Sequence, residues 1–157
     1  MFNKFLSRKF ITAAALFAGG TVTVLGDIEG DLRFGAGNVT IQGTVGGDVV
    51  GAAGQLSLNG ESIGGDVAVA GGSISITAPI QGALRIAGGD IRIDAPIAGN
   101  VVIKAESLTL GPKAALSGNL TYTANEPVTM ESGAVVQGAT EFNERPERVS
   151  KAGIAAA

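Results

Sequence analysis

The chain has 157 residues, 45% of them apolar and 16% charged, a balance that supports one hydrophobic core and argues against a mostly disordered chain. It contains no Cys and no His, which removes thiol nucleophiles, disulfides, zinc sites of the usual ligand types, His-based triads and haem ligation by those residues. Aromatics make up only 4% and Trp is absent, so burial must come from Val, Ile, Leu and Ala, and a net charge of −3 offers no basic field for nucleic acid.

The first informative stretch is Met1 to Phe10, Met-Phe-Asn-Lys-Phe-Leu-Ser-Arg-Lys-Phe, which carries three positive charges and is followed by no acid until Asp27. Wound as a helix, it places Phe2, Phe5, Leu6 and Phe10 on one face and Asn3, Lys4, Ser7 and Arg8 opposite, with Lys9 snorkelling from the apolar side. Buried rings plus attraction of Lys4, Arg8 and Lys9 to anionic lipid are the parts of an interfacial membrane anchor. A secretory signal peptide is the alternative, with Ile11 to Ala18 as a short apolar region and Ala18-Gly19-Gly20 as a usable cleavage site. No run of about 20 apolar residues is present to cross a bilayer.

From Gly30 onward one pattern recurs, a Gly, then a small or acidic residue, then an aliphatic one. The instances are Gly30-Asp31-Leu32, Gly47-Asp48-Val49, Gly65-Asp66-Val67, Gly82-Ala83-Leu84, Gly99-Asn100-Val101, Gly118-Asn119-Leu120 and a degenerate Gly138-Ala139-Thr140, whose starts lie 17, 18, 17, 17, 19 and 20 residues apart. A short fixed period is the mark of a solenoid. Within the units the apolar residues keep their offsets: Leu32, Phe34, Val39, Ile41 and Val45 in one, Val67, Val69, Ile74, Ile76 and Ile80 in another, Leu84, Ile86, Ile91, Ile93 and Ile97 in a third. Two alternating pairs predict two short strands, the lone fifth position a third face, and the Gly, Asn-Gly and Ala-Pro steps the corners. The expected fold is therefore all-β, a single-stranded triangular parallel β-helix of about seven coils of 17–20 residues each. At about 4.8 Å per coil the rod is on the order of 35 Å long. Counting 17 residues back from Gly30 puts Ala15, Phe17, Val22, Val24 and Ile28 at the same offsets, so Ala13 to Glu29 reads as the first coil.

Towards the C-terminus the pattern loosens. The unit from Gly99 keeps Val101, Ile103, Leu108, Leu110 and Leu116 inward but inserts Gly111-Pro112-Lys113, and the unit from Gly118 offers Leu120, Tyr122, Val128, Met130 and Val136 around an Asn125-Glu126-Pro127 loop. After Phe142 the chain turns charged, with a short helix over Arg148 to Ala157 or no fixed structure as the two readings. The organisation read from the sequence is an N-terminal segment over 1–12, a repeat domain over 13–142 and a charged tail over 143–157.

Few residues invite chemistry. Asp31, Asp48, Asp66, Asn100 and Asn119 form a column of corner residues that would serve either as Asx-turn acceptors, the plainer reading, or as a row of oxygen ligands for cations. Arg85, Asp90, Arg92 and Asp94 alternate with inward aliphatics and read as solvent-facing charge pairs across coils. Gly71-Gly72 and Gly88-Gly89 lack the helix and the Lys-Ser/Thr of a phosphate loop, and Ser without a His or Lys partner assembles no activated nucleophile. The expectation is a protein that is not an enzyme and needs no cofactor, metal, nucleotide or nucleic acid.

The hexapeptide helix of many acyltransferases needs an apolar residue every six positions, which these offsets do not supply, and the calcium-binding nonapeptide is absent. The repeat Gly-Asp-Leu-Arg-Phe-(x)4-Val-Thr-Ile-Gln-Gly-Thr-Val-Gly-Gly-Asp-Val over 30–49 resembles those of bactofilins, the polymer-forming bacterial cytoskeletal family, and the similarity extends over about Thr21 to Phe142. That resemblance implies a right-handed coil, end-to-end stacking into filaments without nucleotide, and attachment to the inner face of the membrane through a short N-terminal segment like Phe2 to Phe10.

The ends of the rod carry the functional expectation. Parallel coils leave unpaired N–H and C=O groups on the outermost turns, and monomeric solenoids need polar caps there. Here the first coil is apolar at Phe17, Val22 and Val24, and the last offers Val135, Val136 and Phe142. The chain is thus expected to polymerise with itself on the cytoplasmic face of the bacterial inner membrane, scaffolding shape or localising cell-wall or shape proteins. The alternative is an exported solenoid used for surface binding or adhesion. An ice-binding role would need a regular Thr array, and Thr21, Thr23, Thr40, Thr44, Thr77, Thr109, Thr121 and Thr123 are scattered among offsets.

Overall fold

The computed structural model describes residues 3–6 and 15–144 of the chain. They form fourteen strands and no helix: β1 (Asn3–Leu6), β2 (Ala15–Val24), β3 (Leu32–Ile41), β4 (Val49–Leu58), β5 (Val67–Ile76), β6 (Leu84–Ile93), β7 (Pro96–Ile97), β8 (Val101–Lys104), β9 (Ser107–Leu110), β10 (Ala115–Leu116), β11 (Leu120–Ala124), β12 (Thr129–Met130), β13 (Val135–Val136) and β14 (Thr140–Glu144). All pair in parallel, and each residue meets its counterpart one coil away: Leu32 lies beside Ala15 and Val49, Val67 beside Val49 and Leu84. The protein is a parallel β-solenoid of about seven turns.

The ten-residue strands turn a corner within themselves. In β3, Leu32 and Phe34 are buried, and so are Val39 and Ile41. Residues 34 and 39 differ by an odd number, so on a flat strand they would face opposite ways. Both reach the core only because the chain bends between them, over Gly35 to Asn38. β4, β5 and β6 repeat this bend, after which it opens into separate strands: β8 pairs with the first half of β6 and β9 with the second. The third face is a ladder of single bridges, Ile28–Val45–Ile63–Ile80–Ile97, carried on by Leu116 and Val136. Three faces per coil are the triangular section the repeat predicts.

The interior is one apolar cluster, with no buried polar or charged residue among the described residues. Columns of equivalent side chains fill it, and a large residue in one coil is offset by a small one in the next. Phe34 occupies so much of its column that the next coil has Gly51 there, where a Cβ would lie 2.6 Å from the ring. Gly19, which separates the two faces of β2, has an extended backbone.

Two features depart from the sequence reading. The helix drawn for the N-terminal segment is not what Asn3–Leu6 forms: these residues add a strand to β2, with Asn3 beside Thr21 and Leu6 beside Val24. The reason is the open edge of the first coil, whose N–H and C=O groups a strand satisfies and a helix does not. Met130, placed inward by its offset, is 47% exposed, and Val128 and Val136 are only half-buried. Among the described residues no further coil lies over them on these two faces. The readings for Phe2, Arg8, Lys9 and Phe10 and for the tail beyond Glu144 fall outside the described residues.

Candidate functional site

The Gly-Asx corner is a device between coils. The Asp48 N–H donates to Asp31 Oδ1 at 2.8 Å, Asp66 N–H to Asp48 Oδ1 at 2.7 Å, Ala83 N–H to Asp66 Oδ1 at 2.8 Å, Asn119 N–H to Asn100 Oδ1 at 3.0 Å and Ala139 N–H to Asn119 Oδ1 at 3.0 Å. The column expected to close turns locally instead links each coil to the next, because at this corner the backbone N–H points along the rod axis. The carbonyl of Asp48 meanwhile accepts from Leu32 N–H at 2.8 Å. The preceding Gly is part of the same device: a Cβ on Gly47 or Gly65 would collide with the carboxylate of Asp31 or Asp48 from the coil below. Ala83 receives such a bond but cannot pass one on. Among the described residues no group of three or more His, Cys, Asp or Glu is placed to hold a metal ion.

Of the four outward charges singled out on the sixth strand and after it, Arg92 finds its partner further along. Its Nη2 donates to Glu131 Oε2 at 2.7 Å and its Nη1 to Oε1 at 3.1 Å, a fork that reaches over the intervening β9. The hydrogen bond and charge of Arg92 hold the Glu131 carboxyl below its ordinary pKa, and Glu131 raises that of Arg92. Asp94 instead accepts from Lys113 N–H at 2.7 Å, clasping the inserted Gly111-Pro112-Lys113 turn.

The second face carries a polar groove of about 340 Å³, lined by Gln55, Ser57, Ser73, Ser75, Asp90 and Arg92 among others. In register, Thr23, Thr40, Ser57, Ser75, Arg92, Thr109 and Thr129 form one column. Counting Thr alone hid this line of hydroxyls, since Ser57 and Ser75 continue it and Arg92 breaks it.

The two ends differ. At the C-terminal end β14 pairs with β11 on one side, and all its residues from Thr140 to Glu144 are exposed. Phe142 stacks on Tyr122 with ring centroids 4.9 Å apart, and the Tyr122 hydroxyl accepts from Val128 N–H at 3.0 Å, tying the Asn125-Glu126-Pro127 loop to the core. Val135 is 48% exposed in the outward column it shares with Pro96, Phe142 is 37% exposed on β14, and Val136, in the inward column after Leu116, is half-buried. At the other end Val22 and Val24 are buried one rung inside, between β1 and β3. A molecule arriving there meets Asn3–Leu6 first, so Lys4, Phe5 and Leu6 lie in the outermost strand of that face. Phe17 pairs with Phe34 on the neighbouring face.

These features define the class: an all-β parallel solenoid whose coils are clasped along one corner and whose last described strand, β14, pairs on one side only among the described residues. The family model for the Flagellar Assembly Protein A beta solenoid domain matches residues 15–146, nearly the whole repeat region, and the chain belongs to that family. The match establishes a β-solenoid family and does not single out bactofilins. No curated protein and no solved structure shows a significant match.

Proposed function

We propose that the protein is a structural assembly element that polymerises by coil-on-coil stacking, without nucleotide or cofactor and without catalytic activity, as the resemblance to bactofilins implies. The observation that carries this reading is β14, a fully exposed strand that among the described residues is paired on one side only, and that carries the exposed Phe142. An unpaired strand edge is a template for another strand, and natural proteins usually blunt it. The family's description, a flagellar assembly protein, is consistent with a role in building a structure.

In this reading the basic, aromatic segment containing Phe2, Lys4, Phe5, Leu6, Arg8, Lys9 and Phe10 holds the polymer to the cytoplasmic face of a membrane, with cell-wall or shape proteins as cargo. Its lipid-binding chemistry, rings and cations, does not depend on a helix. Many weak feet on one polymer give firm attachment.

Electron microscopy of the full chain without nucleotide tests the assembly. Filaments are expected, and Val135→Asp with Phe142→Asp should leave short particles or monomers. Wild-type protein that stays monomeric at high concentration would overturn the proposal. An intact mass beginning near Gly19 or Thr21 in the protein recovered from cells would favour the exported alternative.

A further inference from the structure

The first face of the solenoid separates charge in a way the other surfaces do not. Its outward positions form two registered columns, Arg33–Val50–Ala68–Arg85–Val102 and Gly35–Ala52–Ala70–Ala87–Lys104. Over these five coils the face presents three cations and no acid, in a chain whose net charge is −3; the first acid in these columns is Glu141, two coils beyond Val102. All ten positions are exposed, Val50 at 43% and Val102 at 40%. The only ion pair among the described residues is Arg92–Glu131, on another face, so Arg33, Arg85 and Lys104 have no carboxylate partner among them. Three carboxylates along one corner of the face, those of Asp31, Asp48 and Asp66, each spend an oxygen on a backbone N–H of the next coil.

The arrangement is ordered along the rod axis. Arg33 stands at one end, Arg85 and Lys104 at the other, and the low floor between them is Ala52, Ala68 and Ala70. Beside Arg85 and Lys104 this floor deepens into a groove of about 620 Å³. Five rungs at about 4.8 Å make a patch on the order of 20 Å long. Because the sheet satisfies its own backbone groups, such a face can lie against an apolar layer without stranding a polar group.

We infer that this face is a second membrane-contact site, laid flat on an anionic lipid surface. Arg33, Arg85 and Lys104 reach to headgroup phosphates, and the Ala and Val floor faces the glycerol and upper acyl region. A second copy using the same face would bring its cations against these, which disfavours symmetric pairing. The inference rests on the reading that the rod works at a membrane, but its residues are distinct from those of the N-terminal segment.

Co-sedimentation of the full chain with phosphatidylcholine vesicles containing phosphatidylglycerol, against phosphatidylcholine alone, separates the two sites. The variant R33Q/R85Q/K104Q is expected to lose vesicle affinity on the order of a hundredfold at low salt while its circular dichroism is unchanged. The variant K4Q/R8Q/K9Q reports on the N-terminal segment alone. Because the chain has no Cys, Ala70→Cys and Ser73→Cys each carry a single environment-sensitive dye. The dye at position 70 should shift to the blue on the anionic vesicles, and the dye at position 73, on the neighbouring face, should not. If R33Q/R85Q/K104Q binds like wild type and the dye at 70 stays in water while K4Q/R8Q/K9Q releases the protein, the face is refuted and the N-terminal anchor stands. Failure of the wild type to bind anionic vesicles refutes both. A blue shift at position 70 that grows with protein concentration without vesicles assigns the face to another copy of the chain and overturns the lipid assignment.

Discussion

Asp48 shows how one residue type joins two coils. Its side chain accepts the N–H of Asp66, and its position forces Gly at 65, where a Cβ would strike Asp48 Oδ1 and come within 2.7 Å of the Gly47 carbonyl group. Asp48→Ala is expected to destabilise the rod by about 0.5–1.5 kcal/mol, the usual net worth of one hydrogen bond. Asp48→Asn should be close to neutral, since Asn100 and Asn119 make the same bond elsewhere in the column. Gly65→Ala should cost about 1–3 kcal/mol through overpacking. In an Asp48→Ala background part of that cost should vanish, the remainder coming from the Gly47 backbone. Urea denaturation of the four proteins measures the coupling, and strict additivity would contradict the clasp.

At the scale of strands, the Arg92–Glu131 fork fastens β12 to β6 over β9, at the end where the core thins. Glu131 takes up its proton at the ordinary carboxylate pKa when unfolded but only at lower pH when folded. In that interval the unfolded chain binds the proton and the folded chain does not, so the fork stabilises at and above the ordinary pKa and its contribution fades as pH falls through the folded value. Both partners are exposed, so the effect is small and screened by salt. Amide hydrogen exchange at Thr129 to Ala134 is the sensitive readout: the protection of this segment, relative to the intrinsic exchange rate at each pH, should fall on acidification, and Glu131→Gln should remove that acid-dependent part. A wild-type profile identical to that of Glu131→Gln would show the fork to be inert.

At the scale of the whole molecule, the Arg92–Glu131 fork aside, strand pairing joins each coil to its immediate neighbours, so stability is close to a sum of coil and interface terms. Ile76 is fully buried in a central coil, and Ile76→Ala should cost about 2–5 kcal/mol and lower the melting of the entire rod. Val136 is half-buried in the last complete coil, and Val136→Ala should cost under about 1 kcal/mol and speed exchange only near the C-terminal end. Thermal unfolding followed by exchange mass spectrometry distinguishes the two. Equal, global effects would mean that the coils do not behave as a nearest-neighbour stack.

The core was legible in the sequence because it is periodic. The inward offsets of Leu32, Phe34, Val39, Ile41 and Val45 depend only on side-chain alternation and a corner, and both recur every coil, so the structure finds these positions buried and in register with Ala15, Phe17, Val22, Val24 and Ile28. The residues proposed for polymer and membrane contact were less so, because their exposure depends on where the stack stops. The sequence marks Val22 and Val24 as apolar, but only the tertiary structure shows β1 covering them. In the same way it marks Met130 as inward, and it is exposed where, among the described residues, β12 pairs with β9 alone. The partner of Arg92 lies 39 residues away, and the Asp48 clasp 18, separations set by how many residues each turn uses. Local alternation alone determined which side chains face the axis. Which groups meet along that axis, and which are left without a neighbour, follows from the stacking, because each such contact joins residues on different turns.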